Sequence, residues 1–283
     1  MRWRGQRESR NIEDIRGKRV RRAGFGIGTV ALLMVGTYLL GGDPLSTFSS
    51  LNRAGYVNLN PGMSSSAVQS GKLDHGNIEG VGEEAKQFVS VVLASTEDFW
   101  SKMMKGRYTD PKLVLFNDSV SSACGYTSAA SGPFYCPGDN KLYIDLSFFN
   151  ELKKLGAKGD FAAAYVVAHE VGHHVQTLLG LSKKVRQLQT RASKIEGNAV
   201  QVRMELQADC YAGAWAANSG LLEKGDIEEG LNAAASVGDD HIMRSAGRRI
   251  NPDSFTHGTS EQRKDWFIRG FKAQSLDQCN TFG

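Results

Sequence analysis

The order of hydrophobic patterns predicts an α+β domain, and three observations carry that reading. After one helical pattern come two short β-type runs, a series of helical patterns follows, and the most apolar of these helices holds His169-Glu170-Val171-Gly172-His173 near its middle. The first helix is read around Gly82–Lys105, where Phe88, Val91, Val92, Phe99, Met103 and Met104 recur at helical spacing. Leu113–Phe116 and Lys141–Leu146 read as strands on either side of a Gly/Ser/Pro-rich loop, and 147–155 as a short helix. The motif helix spans 160–179, with Asp160 as N-cap and Gly180 just past its C-terminus. Further helical patterns lie near 182–196, 198–217, 226–237 and 259–274.

The 283 residues suffice for one large domain or two small ones, and 41% hydrophobic with 23% charged residues suits a globular core. The net charge of +4 is unevenly placed: residues 1–22 carry +6, which leaves −2 for the rest. That balance argues against a nucleic-acid-binding domain. Residues 23–42 contain no charged side chain, and as a helix they would reach about 30 Å, the thickness of a bilayer core. Lys18, Arg19, Arg21 and Arg22 precede this run, whereas only Asp43 and Arg53 follow it closely. The reading is a basic cytoplasmic arm (1–22), a single transmembrane helix (23–42), a flexible Gly/Ser/Asn-rich linker (43–79) and a domain (80–283) outside the cytoplasm, periplasmic in a bacterium. A cleaved signal peptide is disfavoured, because its apolar stretch is usually shorter and no A-x-A-like site follows Leu40.

Four cysteines, none in a C-x-x-C pair, suit an exported domain. Cys124 and Cys136 flank the loop between the two strands, which points to a local disulfide, with Cys210–Cys279 remaining by elimination. Four cysteines allow three pairings, and spacing does not choose among them.

The motif carries the chemistry. Positions i and i+4 share a helix face, so His169 and His173 are placed to grip one Zn²⁺, with Glu170 beside them as general base. A zinc hydrolase needs a third protein ligand. Glu205 and Asp209 also stand at i and i+4, among apolar Leu206, Ala208, Ala212, Ala214 and Trp215. Glu205 completes a His₂Glu set, and Asp209 can fix the tautomer of a ligating histidine. His174 points about 140° away from His169 and is excluded from the same ion. His257, before a helix that Thr259 and Gln262 can cap as a box, and His241, after two aspartates, are candidate catalytic groups toward an oxyanion. Lys141–Asp145 is read as an edge strand that pairs with an extended peptide substrate.

HEVGHHVQ, ELQADCYAGAW, GDD and THGTSEQR together make the chain similar to the neutral zinc metallopeptidase family, within the wider zincins. The resemblance covers the whole chain. It implies a zincin-like fold with a small sheet packed on the metal helix, E-x-x-x-D supplying the third ligand, and endopeptidase-type chemistry. The function read from the chain is that of a membrane-anchored zinc metallopeptidase acting on a peptide or protein. The alternative is a non-catalytic, membrane-tethered interaction module with a structural or vestigial zinc, which a fourth protein ligand such as His241 or His257 would favour. Oligomeric state is not legible.

Overall fold

A computed structural model describes residues 1–17 and 78–282. The predicted crossing at 23–42 and the linker up to residue 77 lie outside the described residues, and among those described no helix is long and apolar enough to cross a membrane. The strands are β1 (Ile12–Asp14), β2 (Lys112–Leu115), β3 (Ser119–Ser122), β4 (Gly125–Ser128), β5 (Phe134–Cys136) and β6 (Lys141–Ile144). The helices are α1 (Ile78–Met104), α2 (Phe148–Lys154), α3 (Asp160–Leu178), α4 (Leu181–Gln189), α5 (Lys194–Asn218), α6 (Asp226–Ser236), α7 (Asp239–Ser245) and α8 (Ser260–Lys272).

Strands order as β1-β2-β6-β5, the first three parallel and β5 antiparallel, while β3 and β4 form a separate hairpin. Side chains alternate along the pleat. Leu113, Leu115, Leu142 and Ile144 are fully buried in the main core with the helices. Val114 and Tyr143, on the other face, join a second cluster with Phe116, Val120 and Cys136. α3 packs on α5, α8 lies along α5, and α6 touches both α3 and α8. Large aromatic rings fill these junctions, with Phe161 stacked on Trp215 and set edge-on to Phe267. The mixed α+β reading therefore holds. Both expected disulfides, Cys124–Cys136 and Cys210–Cys279, are present.

Two expectations are corrected. The 141–145 strand is not an edge, because β6 is paired on both sides by β2 and β5. β5 is the edge on that side of the sheet, with β1 at the other edge, and its three residues are too few to signal a strand in the sequence. The basic arm is likewise not a separate appendage over residues 1–17. β1 pairs with β2 in the register Ile12↔Leu113 to Asp14↔Leu115, and Trp3 is buried against Phe88. Its arginines meet the acids of α1: Arg4 binds Glu84, Arg7 binds Glu97 and Asp98, and Arg16 binds Glu83. The Met1 amine sits among Asp160, Glu223 and Asp226 at 2.9, 2.9 and 3.4 Å. Residues 1–17 and 78–282 therefore share one sheet and one compact unit.

Trp3→Ala should cost roughly 3–5 kcal/mol, as for other buried aromatic truncations. That would lower the thermal midpoint by about 10 °C for a domain of this size. An unchanged midpoint would show that residues 1–17 do not belong to the domain.

Candidate metal centre

The site forms where α3 and α5 cross. α3 begins at Asp160, with Gly159 rather than Asp160 in the N-cap place, and ends before Gly180, whose φ of 76° gives the left-handed turn expected there. α5 opens on a capping box in which Ser193 and Glu196 satisfy each other's backbone N–H. The two helices approach closely at Gly172. A Cβ on Gly172 would lie 3.1 Å from the Ala208 Cα and 3.2 Å from its carbonyl oxygen, tighter than ordinary packing. One of the two unspecified positions of H-E-x-x-H is thus occupied by the residue that lets α5 come near. Glu205 and Asp209, three residues before and one after Ala208, are thereby brought across from the histidines.

His169, His173 and Glu205 present ligand atoms within 4.8 Å of one another. His169 Nε2 lies 3.1 Å and His173 Nε2 3.4 Å from Glu205 Oε2. Both imidazoles are oriented through their other nitrogen: His169 Nδ1 meets Asp209 Oδ1 at 2.8 Å, and His173 Nδ1 meets Gln176 Oε1 at 2.8 Å. With Nδ1–H donated to an oxygen, each Nε2 lone pair faces the Glu205 carboxylate. Two lone pairs and a carboxylate so arranged repel one another unless protons or a metal cation lie between them, so this donor set fits Zn²⁺ in type, number and tautomer. Gln201 Nε2 donates to the remaining Glu205 oxygen at 2.8 Å.

Asp209 is fully buried and is the hub behind the ligands. It accepts from His169, from the Tyr165 hydroxyl at 2.5 Å, and from Arg263 Nε and a terminal Arg263 nitrogen at 2.8 and 2.9 Å. Arg263 also donates to the Val237 carbonyl. The residue comes from α8, which lies so close to α5 that a Cβ on Gly270 would collide with the Cys210 backbone.

A family model described as "Putative neutral zinc metallopeptidase" matches residues 1–282. The chain belongs to this family. Its relatives include the uncharacterized protein YpfJ of Escherichia coli strain K12, 46% identical over 296 residues that span 100% of this chain and 99% of YpfJ. Another is the uncharacterized protein Mb2605 of Mycobacterium bovis, 40% identical over 220 residues, covering 71% of this chain and 73% of Mb2605. No solved structure matches.

In this zinc metallopeptidase family member, the metal group lies in a cleft of about 980 Å³, together with Glu170 and His257. His257 stands on a loop organised by Asp239, whose Oδ2 accepts the backbone N–H groups of Thr256, His257 and Gly258 at 2.7, 2.6 and 3.1 Å. Asp239 Oδ1 lies 3.2 Å from His257 Nδ1. Burial works against the Asp239 charge, but the hydrogen bonds from His257 and the loop hold its carboxyl below the usual range. The predicted Thr259–Gln262 capping box follows the loop. His241 is not brought to the cleft; its Nε2 meets the Leu155 carbonyl at 3.1 Å. His174 turns away from the metal group as expected and is buried. Its Nε2–H donates to the Thr109 carbonyl, and its ring packs edge-on to Tyr108 and Tyr135. Arg263, the last residue of THGTSEQR, receives no role from the sequence, because an arginine in a helical first turn carries no signal of burial.

The electrostatics are arranged for positive charge at the ligands. Burial opposes protonation of His173, yet Glu205 more than offsets it and raises the imidazole to about 9. His169 is raised too, burial being outweighed by Asp209 and Glu205. Glu205 is held well below the usual carboxylate range despite burial, through His173 and His169. Zinc must therefore displace protons. A raised imidazole is charged below its pKa, so apparent zinc affinity should climb between about pH 6 and 9 and then level off, with proton release on binding. Calorimetry in buffers of different ionisation enthalpy measures this, and a pH-independent affinity would contradict it.

Proposed function

We propose that this chain is a zinc-dependent metallopeptidase that hydrolyses peptide bonds in peptide or protein substrates. The supporting observation is the convergence of His169, His173 and Glu205 with Glu170 in one cleft. Neither His241 nor His257 joins the metal group, so three protein ligands leave a coordination position for chemistry, as in catalytic rather than closed structural sites. Bound zinc would supply Lewis acidity toward the scissile carbonyl and a water.

Glu170, in the cleft beside the group, would accept a proton from an attacking water and pass it to the leaving amine. His257, whose Nδ1–H is held by Asp239, offers an Nε2–H to the oxygen on which charge develops only as the imidazolium, the form the Asp239 carboxylate favours. Asp209 and Gln176 keep the ligating imidazoles in one tautomer and orientation. The β5 edge lines the cleft through Phe134 and Tyr135, and its unpaired side offers main-chain hydrogen bonds to an extended substrate of loose sequence preference. The two disulfides favour an oxidising compartment outside the cytoplasm. Membrane attachment through the apolar run 23–42 is part of the proposal, with residues 1–17 and the domain on one side.

Glu170→Gln should retain zinc and lose about a thousandfold in turnover. His257→Ala should lose about a hundredfold, and His241→Ala little. Peptide hydrolysis and zinc content measured on the same samples test this. Turnover preserved in Glu170→Gln would refute the base assignment.

A further inference from the structure

The rim of the cleft formed by α4 and its two connections has a composition that the peptidase chemistry does not use. Residues 179–195 contain five cations, Lys183, Lys184, Arg186, Arg191 and Lys194, and no acid. None of the five forms an ion pair among the described residues, whereas the arginines of the N-terminal segment at 4, 7 and 16 each do. The same stretch carries Leu179, Leu188 and Ile195 at 44%, 42% and 54% exposure, three of the seven large hydrophobic side chains that stand exposed in the described molecule. Exposed cations and exposed apolar side chains thus alternate along this one stretch. Val185 is the buried side of α4, while Lys184 and Leu188, at i and i+4, lie together on its outer face. Leu179 stands at the entry of this nine-residue helix and Ile195 beyond its exit.

We propose that this surface docks on an anionic lipid bilayer and sets the cleft against the membrane. The chemistry selects that partner over a nucleic acid or another polyanion. Lysines and arginines interleaved with half-exposed aliphatic side chains suit the headgroup–acyl boundary, where cations meet lipid phosphates and leucine or isoleucine enters hydrocarbon. A phosphodiester backbone has no use for the aliphatic groups. The surface is coupled to the site: Gln189 on α4 donates to Gly197 O and Gln201 Oε1 of α5, and Gln201 holds Glu205. Ser182, Val185, Arg186 and Gln189 line the cleft itself. A bilayer bound here would lie beside the substrate entrance, so the favoured substrates would be membrane-proximal polypeptide segments. That last clause rests on the peptidase reading; the docking does not.

The test is flotation of the full chain with phosphatidylcholine vesicles, with and without phosphatidylglycerol. It compares wild type, the triple variant Lys183→Glu/Lys184→Glu/Arg191→Glu, and Leu188→Ser. None of these positions lines the cleft or is buried, and thermal melts check folding. The apolar run 23–42 is common to all samples, so the readout is the preference for phosphatidylglycerol-containing over phosphatidylcholine vesicles; each cation near an anionic surface is worth roughly fivefold, and the triple variant should lose on the order of a hundredfold of that preference. Leu188→Ser should weaken binding to the same vesicles at unchanged charge. A triple variant that keeps the wild-type preference for phosphatidylglycerol would overturn the proposal and move the attraction to the cations at 18–22. Wild-type binding to heparin as tight as to vesicles, with Leu188→Ser indifferent, would overturn it in favour of a soluble polyanion. Binding is read without turnover, so this result stands apart from any failure of the metallopeptidase reading.

Discussion

The buried ion pair between Asp209 and Arg263 is the interaction on which the rest of the site depends. A carboxylate with no solvent exposure is costly unless every lone pair is used, and here His169, Tyr165 and two nitrogens of Arg263 use them. The pair crosses three helices: the carboxylate is on α5, the guanidinium on α8, and the imidazole and hydroxyl on α3. Removal of either charge would leave the other buried and unpaired, a loss of about 3–5 kcal/mol in comparable cases. The polar network thus locks the helix packing that presents His169 Nε2, and the helix packing in turn keeps the network dry.

Small residues make that packing attainable. Gly172 admits Ala208, Gly270 admits the Cys210 backbone, and Gly213 admits the Phe267 backbone. The Cys210–Cys279 disulfide then fastens the C-terminal segment to α5 one residue beyond Asp209. The ligands stand on rigid, mutually wedged helices, which suits a site that must hold geometry within a fraction of an ångström.

Much of the centre is legible in the sequence because its spacing is helical. Two i,i+4 pairs, His169/His173 and Glu205/Asp209, declare a shared face by spacing alone, and an apolar surround declares burial. The partners that come from distant positions are not legible. Asp239 and Arg263 lie in the words GDD and THGTSEQR that carry the resemblance, but their contacts depend on how α8 and the 238–258 segment fold back, which those words do not spell out. The sheet shows the same divide. β2 and β6 alternate visibly, whereas β5 is three residues long and β1 sits inside a charge-rich stretch whose arginines suggest a free arm. The ion pairs of Arg4, Arg7 and Arg16 with α1 turn that charge into a docking code.

That folding-back constrains function as well as architecture. The N-terminal strand and the metal site belong to one unit. Everything functional turns on whether His169, His173 and Glu205 hold zinc. The most direct measurement is zinc per chain in the purified full-length protein beside Glu205→Ala, after equal exposure to zinc and dialysis. One zinc per chain in the wild type and marked loss in Glu205→Ala is the predicted result. A wild type that holds no zinc, or a Glu205→Ala variant that holds it as firmly, would contradict the account.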